Sequence, residues 1–168
     1  AAGAVIGGYI YICGGSDGFE CMRSAERYHP QGSVWEVLEP MTQRRATAAA
    51  ATFRGSLHIC GGYNGAECLD SVEHYDAGSS MWHCLPNLVQ KRGGSVAAVI
   101  GGHLCVFGGF SGQRSLSSVE RLDRAACSWE ELPQMTEARQ SCAVAVAGGN
   151  QSMPHWWLGG QPEDWLYL

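Results

Sequence analysis

Five of the chain's eleven lysines and arginines (Arg44, Arg45, Lys91, Arg92 and Arg139) fall in three short stretches: MTQRRAT (41 to 47), LVQKRGG (88 to 94) and MTEARQS (135 to 141). Arg45, Arg92 and Arg139 stand 47 residues apart, while their neighbours Arg44, Lys91 and Ala138 vary. Arginine's planar fork suits bidentate capture of carboxylates. A row of such side chains, gathered by folding, is equipped to hold an acidic, extended segment of another protein. The competing expectation is that these arginines brace neighbouring parts of the same chain. Little else points to chemistry: there is no HExxH and no carboxylate pair outside the repeated columns. His58, His74, His83 and His103 read as isolated strand residues. The eight cysteines and six histidines show no metal-ligand spacing. Neither a metal nor a cofactor is expected.

The interval of 47 runs through residue 149. Gly14, Gly61 and Gly108 keep it, as do Trp35, Trp82 and Trp129, Glu26, Glu73 and Glu120, Ser24, Ser71 and Ser118, and Leu38, Leu85 and Leu132. Gly8, Gly55, Gly102 and Gly149 carry the register a fourth time without a gap. Repetition at this length marks one supersecondary unit that buries its faces against copies of itself. The units run over about 1–47, 48–94 and 95–141, with a partial fourth over 142–168.

Each unit parses into four strands. A small apolar run comes first (Ala48 to Phe53, Val96 to Ile100, Cys142 to Ala147). A Gly-centred turn leads to a second run ending in a glycine doublet (YIYICGG, SLHICGG, HLCVFGG), in which Tyr9 and Tyr11 alternate with Ile10 and Ile12. Both faces of that strand are apolar, so the sheet is expected to be covered on both sides. Asp17-Gly18, Asn64-Gly65 and Ser111-Gly112 mark the following loops. The third strands carry SAERY, SVEHY and SVERL, and the fourth WEVL, WHCL and WEEL. The doublets are expected where neighbouring aromatics pack on the backbone, the tryptophans between blades, and the repeated glutamates in ion pairs with Arg27 and Arg121.

A double glycine after an apolar strand, then Glu-x-Tyr, Trp and Leu-Pro-x-Met, resembles the kelch repeat. The resemblance covers residues 1 to 149. It implies an all-β, kelch-type β-propeller: three complete four-stranded blades plus a partial fourth, a half-ring or a fragment. His29 stands where other units have Asp76 and Asp123, and Leu122 where they have Tyr28 and Tyr75. After Gly149 the register slips by four, so WWLGG (156 to 160) reads as a fourth second strand.

In kelch domains of the BTB-kelch type, the loops joining successive blades receive short acidic peptide segments. Carried over by position, the partner-binding residues are Arg45, Arg92 and Arg139, with Arg44 and Lys91 beside them. Asp17, Phe19, Tyr63, Asn64, Phe110 and Ser111, in the loops after the doublets, line the same face. The resemblance thus implies a non-catalytic protein-interaction module, such as the substrate-recognition propeller of a cullin-type ubiquitin ligase, or else a cytoskeleton-binding protein. An enzyme resembling galactose oxidase or a sialic-acid mutarotase ranks below these, because the histidines follow no channel-mouth pattern.

Bulk properties narrow the partners. A net charge of −5 argues against general nucleic-acid binding, and no continuous apolar run of about 18 residues suggests a membrane span. Cysteines sit within apolar strand text (Cys13, Cys60, Cys105, Cys142), where a free thiol behaves as a small hydrophobe. That usage fits a reducing, cytoplasmic setting. The chain opens at Ala1 with no initiator Met, so it reads as a processed chain or a piece of a longer one. Open end blades are expected to self-associate and complete the ring.

Overall fold

The computed structural model describes residues 1–146. Twelve strands form three four-stranded antiparallel sheets, each a meander whose spatial order follows the sequence. The first holds β1 (Ala2–Ile6), β2 (Tyr9–Cys13), β3 (Ala25–His29) and β4 (Val34–Leu38). The second holds β5 (Ala49–Phe53), β6 (Ser56–Cys60), β7 (Val72–Asp76) and β8 (Met81–Leu85). The third holds β9 (Val96–Ile100), β10 (His103–Phe107), β11 (Val119–Asp123) and β12 (Ser128–Leu132). The first strands β1, β5 and β9 lie side by side, so the sheets converge there like blades about an axis.

Alternation along each strand sends side chains to two neighbours. In β6, Leu57 and Ile59 join a core with Tyr11, Cys13, Tyr75 and Trp82, between the first and second blades. Cys60 joins Phe53, Leu104, Val106, Leu122 and Trp129, between the second and third. Both faces of the second blade are covered, as expected. The first blade differs: only its Tyr11 and Cys13 side is packed. Its other side leaves Val5, Ile10, Trp35 and Val37 exposed, Trp35 at 52% against 8% for Trp82 and 6% for Trp129. Placing all three tryptophans between blades therefore holds for two. Residues 142–146 form no strand among the described residues, and WWLGG lies outside them.

The glycine doublets have a different cause from the one the sequence suggests. Gly14, Gly61 and Gly108 sit at φ 59°, 60° and 58°, in the left-handed region. A Cβ there would run into the backbone oxygen of Arg45, Arg92 or Arg139 respectively, with no aromatic ring among its nearest atoms. The second glycine of each doublet donates its N–H to that same oxygen (Gly15 to Arg45 and Gly62 to Arg92 at 2.8 Å, Gly109 to Arg139 at 2.7 Å). Each doublet is thus a socket for the carbonyl of its own blade's closing arginine.

Candidate functional site

Two sets of loops share one face: those after the doublets (β2–β3, β6–β7, β10–β11) and the connections to the next blade. Antiparallel bridges Ala46↔Tyr63 and Gly93↔Phe110 stitch each connection to the following blade's loop. Asp17, Asn64 and Ser111 shape the loops locally. Asp17 Oδ1 accepts the N–H groups of Phe19 and Glu20, each at 2.9 Å, and Asn64 Oδ1 those of Ala66 (2.8 Å) and Glu67 (2.9 Å). Ser111 Oγ accepts those of Gln113 and Arg114 more loosely. These bonds stabilise Asp17 as carboxylate, chiefly the one from Glu20 and then that from Phe19, and hold its pKa below the usual value. The turn chemistry leaves Phe19 projecting, 97% exposed, and Tyr63 at 38%. Phe110 is half-buried. A cleft of about 600 Å³ between the second and third blades is lined by Tyr63, Glu67, Lys91, Phe110, Ser111 and Gln113. Another, of about 660 Å³, lies beside Gln43, Arg44, Asn64 and Ala66.

The conserved-interval arginines occupy other ground. Arg45 and Arg92 are 1% and 0% exposed. Arg45 reaches into the second blade, where Nε donates to Glu73 Oε1 (2.9 Å), Nη1 to the carbonyls of Gly61 (2.7 Å) and Ser71 (2.9 Å), and Nη2 to Ser71 Oγ (2.8 Å). Arg92 repeats this in the third blade with Glu120 (2.9 Å), Gly108 (2.7 Å), Ser118 O (2.9 Å) and Ser118 Oγ (2.7 Å). The other oxygen of each glutamate accepts a backbone N–H, from Thr42 (2.8 Å) and Val89 (2.6 Å). Such groups are braces between blades, enclosed and fully hydrogen-bonded, and offer a partner no free donor. Their expected docking role is corrected accordingly. Glu73 and Glu120 are in ion pairs, yet with arginines of the preceding blade; Arg27 and Arg121 instead pair with Glu36 and Glu130 across their own sheets.

Nor is the loop face an uncompensated cationic ring. Arg44 pairs with Glu20 at 2.7 Å, Lys91 with Glu67, and Arg139 with Glu137 at 3.3 Å. The bond to Glu67 holds the Lys91 ammonium above its usual pKa. A signal for this was legible: Arg44 and Lys91 each follow their acid by 24 residues, and the third unit has Arg114 and Ala138 at those columns. With its counterpart gone, Arg114 stands exposed in the β10–β11 loop with no ion pair among the described residues.

The histidines also prove less isolated than they read. His58, His74 and His83 pair across three adjacent strands. Their rings lie 5.4 and 5.3 Å apart. The first and third blades put Arg27–Glu36 and Arg121–Glu130 in the last two of these columns. Burial pushes His58 down to about 4. Cys13 and Cys60, buried in the two inter-blade cores, are pushed up to about 12, chiefly by burial, so their thiols are poor nucleophiles at neutral pH.

A family model described as the KLHDC2/KLHL20/DRC7 Kelch-repeats domain matches residues 2–164. Among solved structures, one titled "Structure of YjhT" matches with a TM-score of 0.70 at 17% sequence identity, over 80% of this chain and 51% of that one. The chain spans about half the length of that structure (51%), and the likeness is one of fold alone. No curated protein matches the chain.

Proposed function

We propose that this chain, which belongs to the kelch-repeat family, is a non-catalytic protein-interaction module that binds an extended segment of a partner across its loop face. The observation that carries this is Phe19, an aromatic ring 97% exposed on a tightly hydrogen-bonded turn, on the same face as half-exposed Tyr63. Rigid aromatic side chains supply large contact area at little cost in entropy. The ionisable groups beside them are occupied: Arg44 by Glu20, Lys91 by Glu67, Asp17 by backbone N–H groups. That favours recognition over acid–base chemistry. Arg114 takes over the anionic contact first expected of Arg45, Arg92 and Arg139, so an acidic side chain of the segment belongs over the third blade. Substrate recognition for a cullin-type ubiquitin ligase in the cytoplasm is the biological role proposed for this face.

The test begins with a segment selected from a displayed peptide library on the folded protein. Charged hydrogen bonds are worth about 1.5–3 kcal/mol, so Arg114→Ala is expected to weaken its binding roughly tenfold or more and to flatten the salt dependence. Phe19→Ser is expected to weaken it comparably, and the melting temperature should stay put in both variants. Unchanged affinity in both overturns the assignment of the site.

A further inference from the structure

The seam between the second and third blades departs from the repeat in five columns, which together remove its acid and add two arginines. At the end opposite the loop face, the β5–β6 turn has Arg54 where the first and third blades have Gly7 and Gly101. Those glycines both take φ 56°, and Arg54 takes 51°, a left-handed conformation that strains an arginine and not a glycine. Strain kept at an exposed position points to use of the side chain. In the β11–β12 turn, at the same end, Arg124 stands in the column of Pro30 and Ala77. Both arginines are exposed and without an ion pair among the described residues. The other three columns are the histidine row. They hold Tyr11, Arg27 and Glu36 in the first blade and Cys105, Arg121 and Glu130 in the third, so two imidazoles replace a self-neutralising pair. His58 is buried, His74 half-buried and His83 exposed, which opens the row to solvent. The His58 ring lies 5.5 Å from that of Phe53, and Arg54 Cζ sits 5.5 Å over the same Phe53 ring. Arg124 acts on His58 and His74 from the third blade. Among the described residues the acid acting on the row is Asp76, whose oxygens accept Gly78 N–H (2.9 Å) and Ser79 Oγ–H (3.0 Å) in its own turn.

We infer that this end of the seam binds a phosphate monoester, free or carried on a serine of another protein, with Arg54 and Arg124 as fixed cations and His74 and His83 as donors to its oxygens. The site is separate from the loop face, at the opposite end of the sheets. Two guanidinium groups without acids call for a ligand of about two negative charges and several acceptor oxygens, which a phosphate ester offers near neutral pH and a carboxylate does not. Burial, then the His83 charge and last Arg124 hold His74 below its usual pKa, while Asp76 acts the other way. A dianion seated among these groups offsets the repulsion from His83 and Arg124. Binding therefore takes up protons and strengthens as pH falls.

Calorimetry with inorganic phosphate, sulfate and a short peptide centred on phosphoserine tests this. Sulfate keeps both charges as pH falls, so its binding isolates the titration of the protein. Its affinity is expected to rise by at least about fivefold between pH 7.5 and 5.5, and the double variant His74→Gln, His83→Gln should lose that rise. Arg124→Ala should weaken phosphate binding by at least about tenfold. Arg54→Gly restores the residue of the other two blades, so it should weaken phosphate binding severalfold while the melting temperature falls in neither arginine variant. A phosphopeptide that binds more tightly than inorganic phosphate assigns the ligand to a partner protein, and equal affinities assign it to a free phosphate ester. A parent chain that binds none of the three probes overturns the inference. So does phosphate affinity left unchanged by either arginine replacement, or sulfate affinity that does not respond to pH.

Discussion

Burying the guanidinium of Arg92 is tolerable because each of its N–H directions is met: Glu120, two backbone carbonyls and a serine hydroxyl surround it. Glu120 is itself 0% exposed and takes further N–H bonds from Val89 and Gln90. Removing one partner of such a pair strands a charge away from water, at a cost of about 3–5 kcal/mol. Arg92→Ala is therefore expected to destabilise the protein by about that much in urea unfolding. The double variant Arg92→Met, Glu120→Gln should lose less than the sum of the two single changes. Binding by the molecules that remain folded should be unaltered, since Arg92 does not reach the loop surface. A melting temperature unchanged in Arg92→Ala would contradict the brace.

At the scale of the strand and its turns, the doublet joins local conformation to assembly. Gly61 ends β6 at φ 60°, makes room for the Arg92 carbonyl, and lends its own carbonyl to Arg45. One glycine thus serves the brace behind it and the brace ahead. Gly55, in the β5–β6 turn, also has positive φ (78°), but nothing lies within 4 Å of a Cβ placed there. The pair separates backbone strain from steric conflict. Gly55→Ala should cost about 1–2 kcal/mol, the left-handed penalty alone. Gly61→Ala should cost at least about 2 kcal/mol more, because a carbonyl fixed by its own hydrogen bond must move. Equal losses from the two changes, read by thermal melts, would show that the socket has no steric role.

For the molecule as a whole, the seam between the second and third blades carries a pH dependence. His58, His74 and His83 form a row in which burial lowers His58 to about 4 and, with the His83 charge, also lowers His74. Arg124 of the third blade opposes protonation of both, while Asp76 favours it at His74. A histidine with a depressed folded pKa binds fewer protons folded than unfolded between the two values. Its contribution to stability is therefore present above the unfolded value of 6.5 and falls away as pH drops towards 4. For His58 the full effect is on the order of 3 kcal/mol. Chemical unfolding at pH 7.5 and 4.5 should show this loss, and His58→Phe should remove most of it. Stability rising as pH falls over that window would refute the account.

What the sequence determined by itself was whatever repeats. Strand positions, turn glycines, the closing arginines and their glutamates recur every 47 residues because each unit meets an equivalent neighbour, so a structural need is written once per unit. Even the Arg44–Glu20 and Lys91–Glu67 pairs were legible as columns, as was the departure at Arg114. Tertiary structure decided direction and depth. Whether Arg45 and Arg92 point outward to a partner or inward to the next blade depends on where Glu73 and Glu120 arrive, and those lie 28 residues downstream. The same holds for Trp35, whose type matches Trp82 and Trp129 while its exposure does not. A column records which side chain an interface needs; whether that interface is filled depends on the blade alongside it.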